Sequence, residues 1–107
     1  MILRRWSGTI RARDKRAYLA YIRRTGMREY RATPGNLGAQ MVTRDLPRGR
    51  VEVATLSWWK NLGSIGAFAG DDIERAHYYP LDRKYLLTRP RKVQHFEVDV
   101  GSPPKGT

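Results

Sequence analysis

His77 and His95 are the only two imidazoles in this sequence, and imidazole is the side chain that takes or gives a proton near neutral pH. Around them stand groups suited to a flat aromatic ligand. Trp6, Trp58 and Trp59 offer large rigid walls, each with one indole donor. Phe68 precedes His77, while Tyr78, Tyr79 and Tyr85 follow it with phenols able to bond a substrate carbonyl. Arg4 shares a strand face with Trp6, since residues two apart in a strand point the same way. Arg5 shares the other face with Leu3. A proton acceptor, a fixed cation and an aromatic wall are groups that could bind a flat ligand and hold an anion formed on it. Ordinary packing is the competing explanation. A core histidine bonded to a carbonyl, or a tryptophan filling a core, needs no ligand. Glu97 lies about 7 Å from His95 along an extended chain and can orient it structurally.

Other chemistries are missing. The chain has no cysteine, which removes thiolate catalysis, disulfides and cysteine-held metals. Gly63-Ser64-Ile65-Gly66 has the wrong spacing for a nucleophile elbow. Gly35-Asn36-Leu37-Gly38 lacks the lysine of a phosphate-binding loop. Asp71, Asp72 and Glu74 read as helix-start acids, and the two histidines lack metal-ligand spacing, so no metal is expected.

The elements that must position these groups follow from periodicity. Residues 2–11 read as a strand. From Asp14, a plausible N-cap, to about Tyr30 the period becomes helical. Tyr18, Leu19, Tyr21, Ile22 and Tyr30 share one side of that helix, and arginines from Arg13 to Arg31 occupy the other. Residues 37–45 and 50–59 flank Leu46-Pro47-Arg48-Gly49 as a hairpin. A second helical region begins near Ile65 and pauses at Gly70. It then resumes from an Asp71/Glu74 capping box and stops at Pro80, with Ile73, Ala76 and His77 on one face. Leu81–Arg89 is a connector, and residues 92–100 alternate as a last strand. The order β-α-β-β-α-β predicts an α+β, ferredoxin-like fold: a four-stranded antiparallel sheet with helices on one face. Trp58 and Trp59, being consecutive, must face opposite sides of that sheet. Apolar groups occur on both faces of strands two and three, so a bare outer face would be unusually apolar, and a face-to-face homodimer is the simple solution.

At 107 residues one domain is expected, over residues 1–100, with a Pro/Gly-rich disordered tail at 101–107. No apolar run reaches a membrane span or a signal peptide, so a cytoplasmic protein without membrane contact is expected. The net charge of +11 raises nucleic acid as a partner. Ten of the 21 basic residues lie within residues 1–31, mostly on the outer side of the first helix, away from the sheet aromatics. Strand three, Arg50–Trp59, lacks the glycine-aromatic pattern of an RNA-recognition motif. Nucleic acid is therefore not expected as a partner, and the charge reads as a solvated surface.

The stretch Val53-Ala54-Thr55-Leu56-Ser57-Trp58-Trp59-Lys60-Asn61-Leu62, running into Ile65-Gly66-Ala67-Phe68 and on to Ala76-His77, resembles the antibiotic biosynthesis monooxygenase (ABM) family. Val93-Gln94-His95-Phe96-Glu97-Val98 is similar to that family's last strand. The resemblance spans about residues 2–100 and is nearest to small uncharacterised bacterial members. It implies a dimeric α+β barrel with a ligand cavity between helices and sheet in each subunit. It also implies a cofactor-independent monooxygenase acting on a small aromatic or polyketide-like substrate, with His77 and His95 as catalytic bases. Trp6, Arg4, Trp58, Trp59, Phe68, Tyr78, Tyr79 and Tyr85 would then contact the substrate. The alternative within the same resemblance is a non-catalytic protein binding a small molecule or haem, with His77 in the axial position. The first-strand Asn and the Trp ten residues before the His that haem-degrading members carry are replaced here by Trp6-Ser7-Gly8 and Ala67. No cofactor is the primary expectation. The discriminating geometry is whether His77, Trp6 and a strand-three tryptophan border one cavity.

Overall fold

The computed structural model describes residues 1–104. Strand β1 runs over Ile2–Arg11 and passes through a 3-10 turn (Ala12–Asp14) into α1 (Lys15–Arg24) and α2 (Gly26–Ala32). The hairpin β2 (Asn36–Leu46) and β3 (Arg50–Trp59) follows, then α3 (Leu62–Ala69), α4 (Asp82–Tyr85), β4 (Leu86–Thr88) and β5 (Gln94–Glu97). The sheet order is β2-β3-β1-β4, all antiparallel, with β5 pairing the same edge of β1. Helices cover one face, and the architecture is ferredoxin-like α+β. Among the described residues no helix is long and apolar enough to cross a membrane.

Alternation along the central strands decides which side chains meet the helices. Arg4, Trp6, Gly8 and Ile10 of β1 are buried, as are Val51, Val53, Thr55, Ser57 and Trp59 of β3. Tyr18, Tyr21 and Ile22 of α1 pack into this set with Ile10, Val51 and Val53. At the other end Trp59, Ile65, Phe68 and Tyr30 form a second cluster. Trp59 is fully buried in it, while Trp58 lies half-buried on the outer face, as their consecutive positions require. Leu3, Leu56, Trp58 and Phe96 share that outer face through the register Leu3↔Trp58 and Leu3↔Phe96.

Three boundaries differ from expectation. The first helix is two, because Thr25 leaves helical geometry at φ −113° and ψ −89° and its hydroxyl bonds the Tyr21 carbonyl at 2.8 Å. Asp14 stands at the start of α1 but makes no side-chain cap. The fourth strand is split into β4 and β5. Between Thr9↔Thr88 and Arg5↔Gln94 it spends two residues more than β1 does, so residues 89–93 bulge away from the sheet. Gly8 sits opposite that bulge, and a Cβ there would come within 3.0 Å of both the Thr88 carbonyl and the Trp6 ring.

The largest correction concerns residues 71–80, which form no helix. Gly70, at φ +85°, ends α3, and the chain continues irregularly to α4. Its backbone groups find distant partners instead. The Ala76 amide donates to Arg91 O and the Val93 amide to Glu74 O, each at 2.8 Å, around an antiparallel bridge between Arg75 and Lys92. Asp72 accepts from the Glu74 amide at 3.2 Å, in a turn of its own. The bulge of the fourth strand thus serves as the ladder partner that a helix would have supplied internally. Of the expected tail, Gly101–Pro104 carries no regular structure, with Pro104 against Gly38. Residues 105–107 lie outside the described residues.

Candidate active site

A small cavity of about 30 Å³ lies between the helices and the sheet. Its sheet wall is Arg4, Trp6 and Thr55, its helix wall Tyr18, Ile22, Tyr30 and Phe68, and its outer wall His77, Tyr78, Tyr79 and Asp82. Alternation on β1 puts Arg4 and Trp6 inside. The irregular 71–80 segment, pinned by the bulge, brings His77, Tyr78 and Tyr79 over them.

Arg4 is 2% exposed. Its guanidinium donates to the Ile73 carbonyl, to Arg75 O at 3.1 Å, and lies over the Phe68 ring at 5.7 Å. Among the described residues no carboxylate comes within ion-pair distance of it. Burial lowers its pKa, an effect opposed by the nearby Tyr30 phenol. Tyr30 is buried against Thr55, with hydroxyl oxygens 3.2 Å apart, and stacks on Phe68 at 4.6 Å.

The four phenols of the cavity wall are held in the protonated form. Burial raises Tyr18, Tyr30, Tyr78 and Tyr79, and a hydrogen-bonded carboxylate adds to the effect at Tyr18 (Asp82) and at Tyr79 (Glu29). Tyr78 accepts from Trp6 Nε1 at 3.1 Å and donates to Pro90 O. Tyr79 donates to Glu29. The proton acceptors on the cavity wall are therefore His77 and Asp82. His77 is open to solvent on one side, with Nε2 at 3.9 Å from Glu29 Oε1 and its ring 5.2 Å from Phe68 and 4.9 Å from Tyr79.

Arg4, Trp6, Phe68, His77, Tyr78 and Tyr79 are thus brought to one cavity. Four other expected site residues stand elsewhere. His95 is on β5 and bonds Arg4, with Nη1 to Nε2 at 3.0 Å. Trp58 faces outward. Trp59 lies behind Phe68 at 5.9 Å and donates to Ser57 Oγ at 2.9 Å. Tyr85 packs on Tyr18 and Tyr21 at 5.7 and 6.2 Å. The three-way arrangement of His77, Trp6 and a strand-three tryptophan is met by its first two members. Asp82 was not singled out by sequence. It is 3% exposed, accepts from Tyr18 Oη at 3.3 Å and from the Tyr79 amide at 2.7 Å, and burial raises its pKa.

The cavity has room for a water or a diatomic molecule, well below the several hundred Å³ of a drug-sized site. A polycyclic ligand does not fit inside it. Nor is there room for a haem inside it. Outside, a groove of about 780 Å³ adjoins the cavity and shares His77 and Tyr78 with it. Among the described residues no group of three or more His, Asp or Glu is placed to hold a metal ion.

Fold and cavity together define a ferredoxin-like α+β protein with a small aromatic-lined chamber between helices and sheet. Two solved structures share this fold. One, "Putative antibiotic biosynthesis monooxygenase from Nitrosomonas europaea", aligns with a TM-score of 0.62 at 12% identity, over 94% of this chain and 100% of that one. Another of the same description, from Bacillus cereus, aligns with a TM-score of 0.58 at 13% identity, over 94% and 95%. At such identities the likeness is one of fold. No protein-family model and no curated protein matches the chain.

Proposed function

We propose that the protein is an ABM-like, cofactor-independent monooxygenase that oxidises a small aromatic or polyketide-like substrate as a homodimer. The observation that carries this reading is the buried Arg4 guanidinium, a cation without a carboxylate partner, in the wall of a cavity that His77 also borders. An unpaired buried charge is costly to retain, and an anion formed during turnover would compensate it.

The substrate ring rests in the outer groove with its reacting carbon toward His77. His77 removes the activated proton. The carbanion or phenolate gives one electron to O₂ held in the inner cavity, and the substrate radical combines with superoxide to form a C–O bond. The peroxide takes the proton back and expels water, so that R₂CH₂ + O₂ gives R₂C=O + H₂O with no external reductant. Arg4 steadies the anionic stages, and the apolar cavity walls limit the access of bulk water to the radical pair.

Oxygen uptake with anthrone or a dihydroquinone tests the reading. Wild type should exceed spontaneous oxidation, and His77→Ala should lower the rate at least tenfold. Unchanged uptake after His77→Ala and His95→Ala together would remove the proposed base. The small volume of the cavity favours one rival, a non-catalytic protein that binds an aromatic ligand in the groove. Ligand binding without oxygen uptake would assign it.

A further inference from the structure

The outer groove carries a chemistry of its own. Its lining includes Arg75, Arg91 and Lys92, with Asp72 the acid among them and Ala69 and Ala76 supplying apolar floor. Arg75 and Lys92 face each other directly across the antiparallel bridge. Like charges in that position repel, and they cost stability unless an anion sits between them. Lys92 has Glu74 at 4.0 Å, whereas Arg75 and Arg91 have no carboxylate within ion-pair distance among the described residues. Asp72 is turned to the Glu74 amide. Beneath the groove Arg4 donates to the Arg75 carbonyl, adding a buried positive charge under the same floor. Concave, low-dielectric walls focus such a field. At the inner end the groove meets Tyr78 and His77, an aromatic phenol and an imidazole.

We propose that this groove is the binding site for a planar aromatic carboxylate, its carboxylate between Arg75 and Arg91 and its ring against Tyr78 and His77. The inference rests on the groove being the substrate site, and it narrows the substrate class to aromatic acids. A second basic depression, of about 520 Å³ on the outer side of α1, includes Arg16 and Arg23 but no aromatic ring. It attracts anions without stacking them and provides the control.

Titration calorimetry at low salt with 2-naphthoate and with neutral 2-naphthamide tests the assignment. Naphthoate should bind at least tenfold more tightly than the amide. Arg75→Gln with Arg91→Gln should abolish that preference, since both side chains are exposed and their backbone bonds survive the change. Arg16→Gln with Arg23→Gln removes the same charge elsewhere and should preserve it. Absence of binding, equal binding of acid and amide, persistence of the preference in the groove variant, or equal loss in both variants overturns the proposal. Oxygen uptake on neutral anthrone together with no acid preference overturns this inference alone. Acid preference without oxygen uptake on any substrate overturns only the oxygenase reading.

Discussion

Arg4 Nη1 lies 3.0 Å from His95 Nε2, across directly paired positions of β1 and β5. A guanidinium only donates, so the imidazole accepts on Nε2 and carries its proton on Nδ1. The lone pair of His95 is therefore committed to Arg4 and is not presented to the cavity. His77 keeps its ring at the boundary between cavity and groove, and the division of roles between the two histidines follows.

That contact sets a pH dependence. Burial first, and then the Arg4 charge, lower the His95 pKa from its ordinary value of 6.5, with Glu74 opposing them. The folded state thus disfavours the imidazolium. Above the unfolded-state value there is no penalty. As pH falls below it the unfolded chain takes up the proton first, and stability declines down through the folded-state pKa. Urea midpoints at pH 7.5 and 5.0 should fall more in wild type than in His95→Gln, whose amide oxygen still accepts from Arg4. An equal fall in both proteins would refute the assignment.

Arg4 also holds the segment that carries His77. Its two carbonyl partners, Ile73 and Arg75, have no helix to satisfy them. Arg4→Lys keeps the charge, but one ammonium cannot reproduce the forked geometry. Leaving one or two such acceptors unpaired costs about 1–3 kcal/mol each. Urea denaturation should show a loss of that order, and amide exchange should quicken first at Ala76 and Val93. Stability unchanged by Arg4→Lys would show that the fork is not structural.

How far the sequence discloses this site depends on where each backbone group finds its partner. β1 is legible because Arg4, Trp6, Gly8 and Ile10 alternate within one strand, and the β2–β3 hairpin because its turn is local. Residues 71–80 mislead because Ile73, Ala76 and His77 supply only a single turn of helical period. Their hydrogen bonds go to Arg91, Val93 and the Arg4 guanidinium, partners that no local pattern announces. Asp82 follows Pro80-Leu81 like any solvated loop acid. Its burial depends on Tyr18, 64 positions away.

The outer sheet face gives a test of assembly. Leu3, Leu56 and Trp58 are half-buried in the single chain, and Phe96 and Val42 are 42% and 43% exposed. In the proposed homodimer this face is covered by a second copy. Leu56→Glu places a carboxylate at its centre, beside Trp58, without touching the helix-side core. Light scattering should report a dimer for wild type and a monomer for the variant at micromolar concentration. A wild-type monomer would exclude the face-to-face assembly.

Asp82 yields the least intuitive expectation. Burial raises its pKa above the ordinary 3.8, although the Tyr79 amide, the Tyr18 hydroxyl and nearby charges pull it down. A carboxyl whose pKa is raised on folding binds more protons folded than unfolded. Its contribution to stability is full below pH 3.8 and is lost as pH rises through the folded-state value. Ionising the buried carboxyl thus works against stability, and a raised carboxyl in a cavity wall is the kind of group that can serve chemistry as well as packing. Asp82→Asn keeps an acceptor for the Tyr79 amide and removes the charge. The melting temperature of the variant, relative to wild type, should rise between pH 4 and pH 7. A difference that is constant across that range would mean that Asp82 is not desolvated as its surroundings imply. If Asp82 also serves the reaction, the same variant should lose oxygen uptake while gaining stability at neutral pH, a combination that a purely structural carboxylate cannot produce.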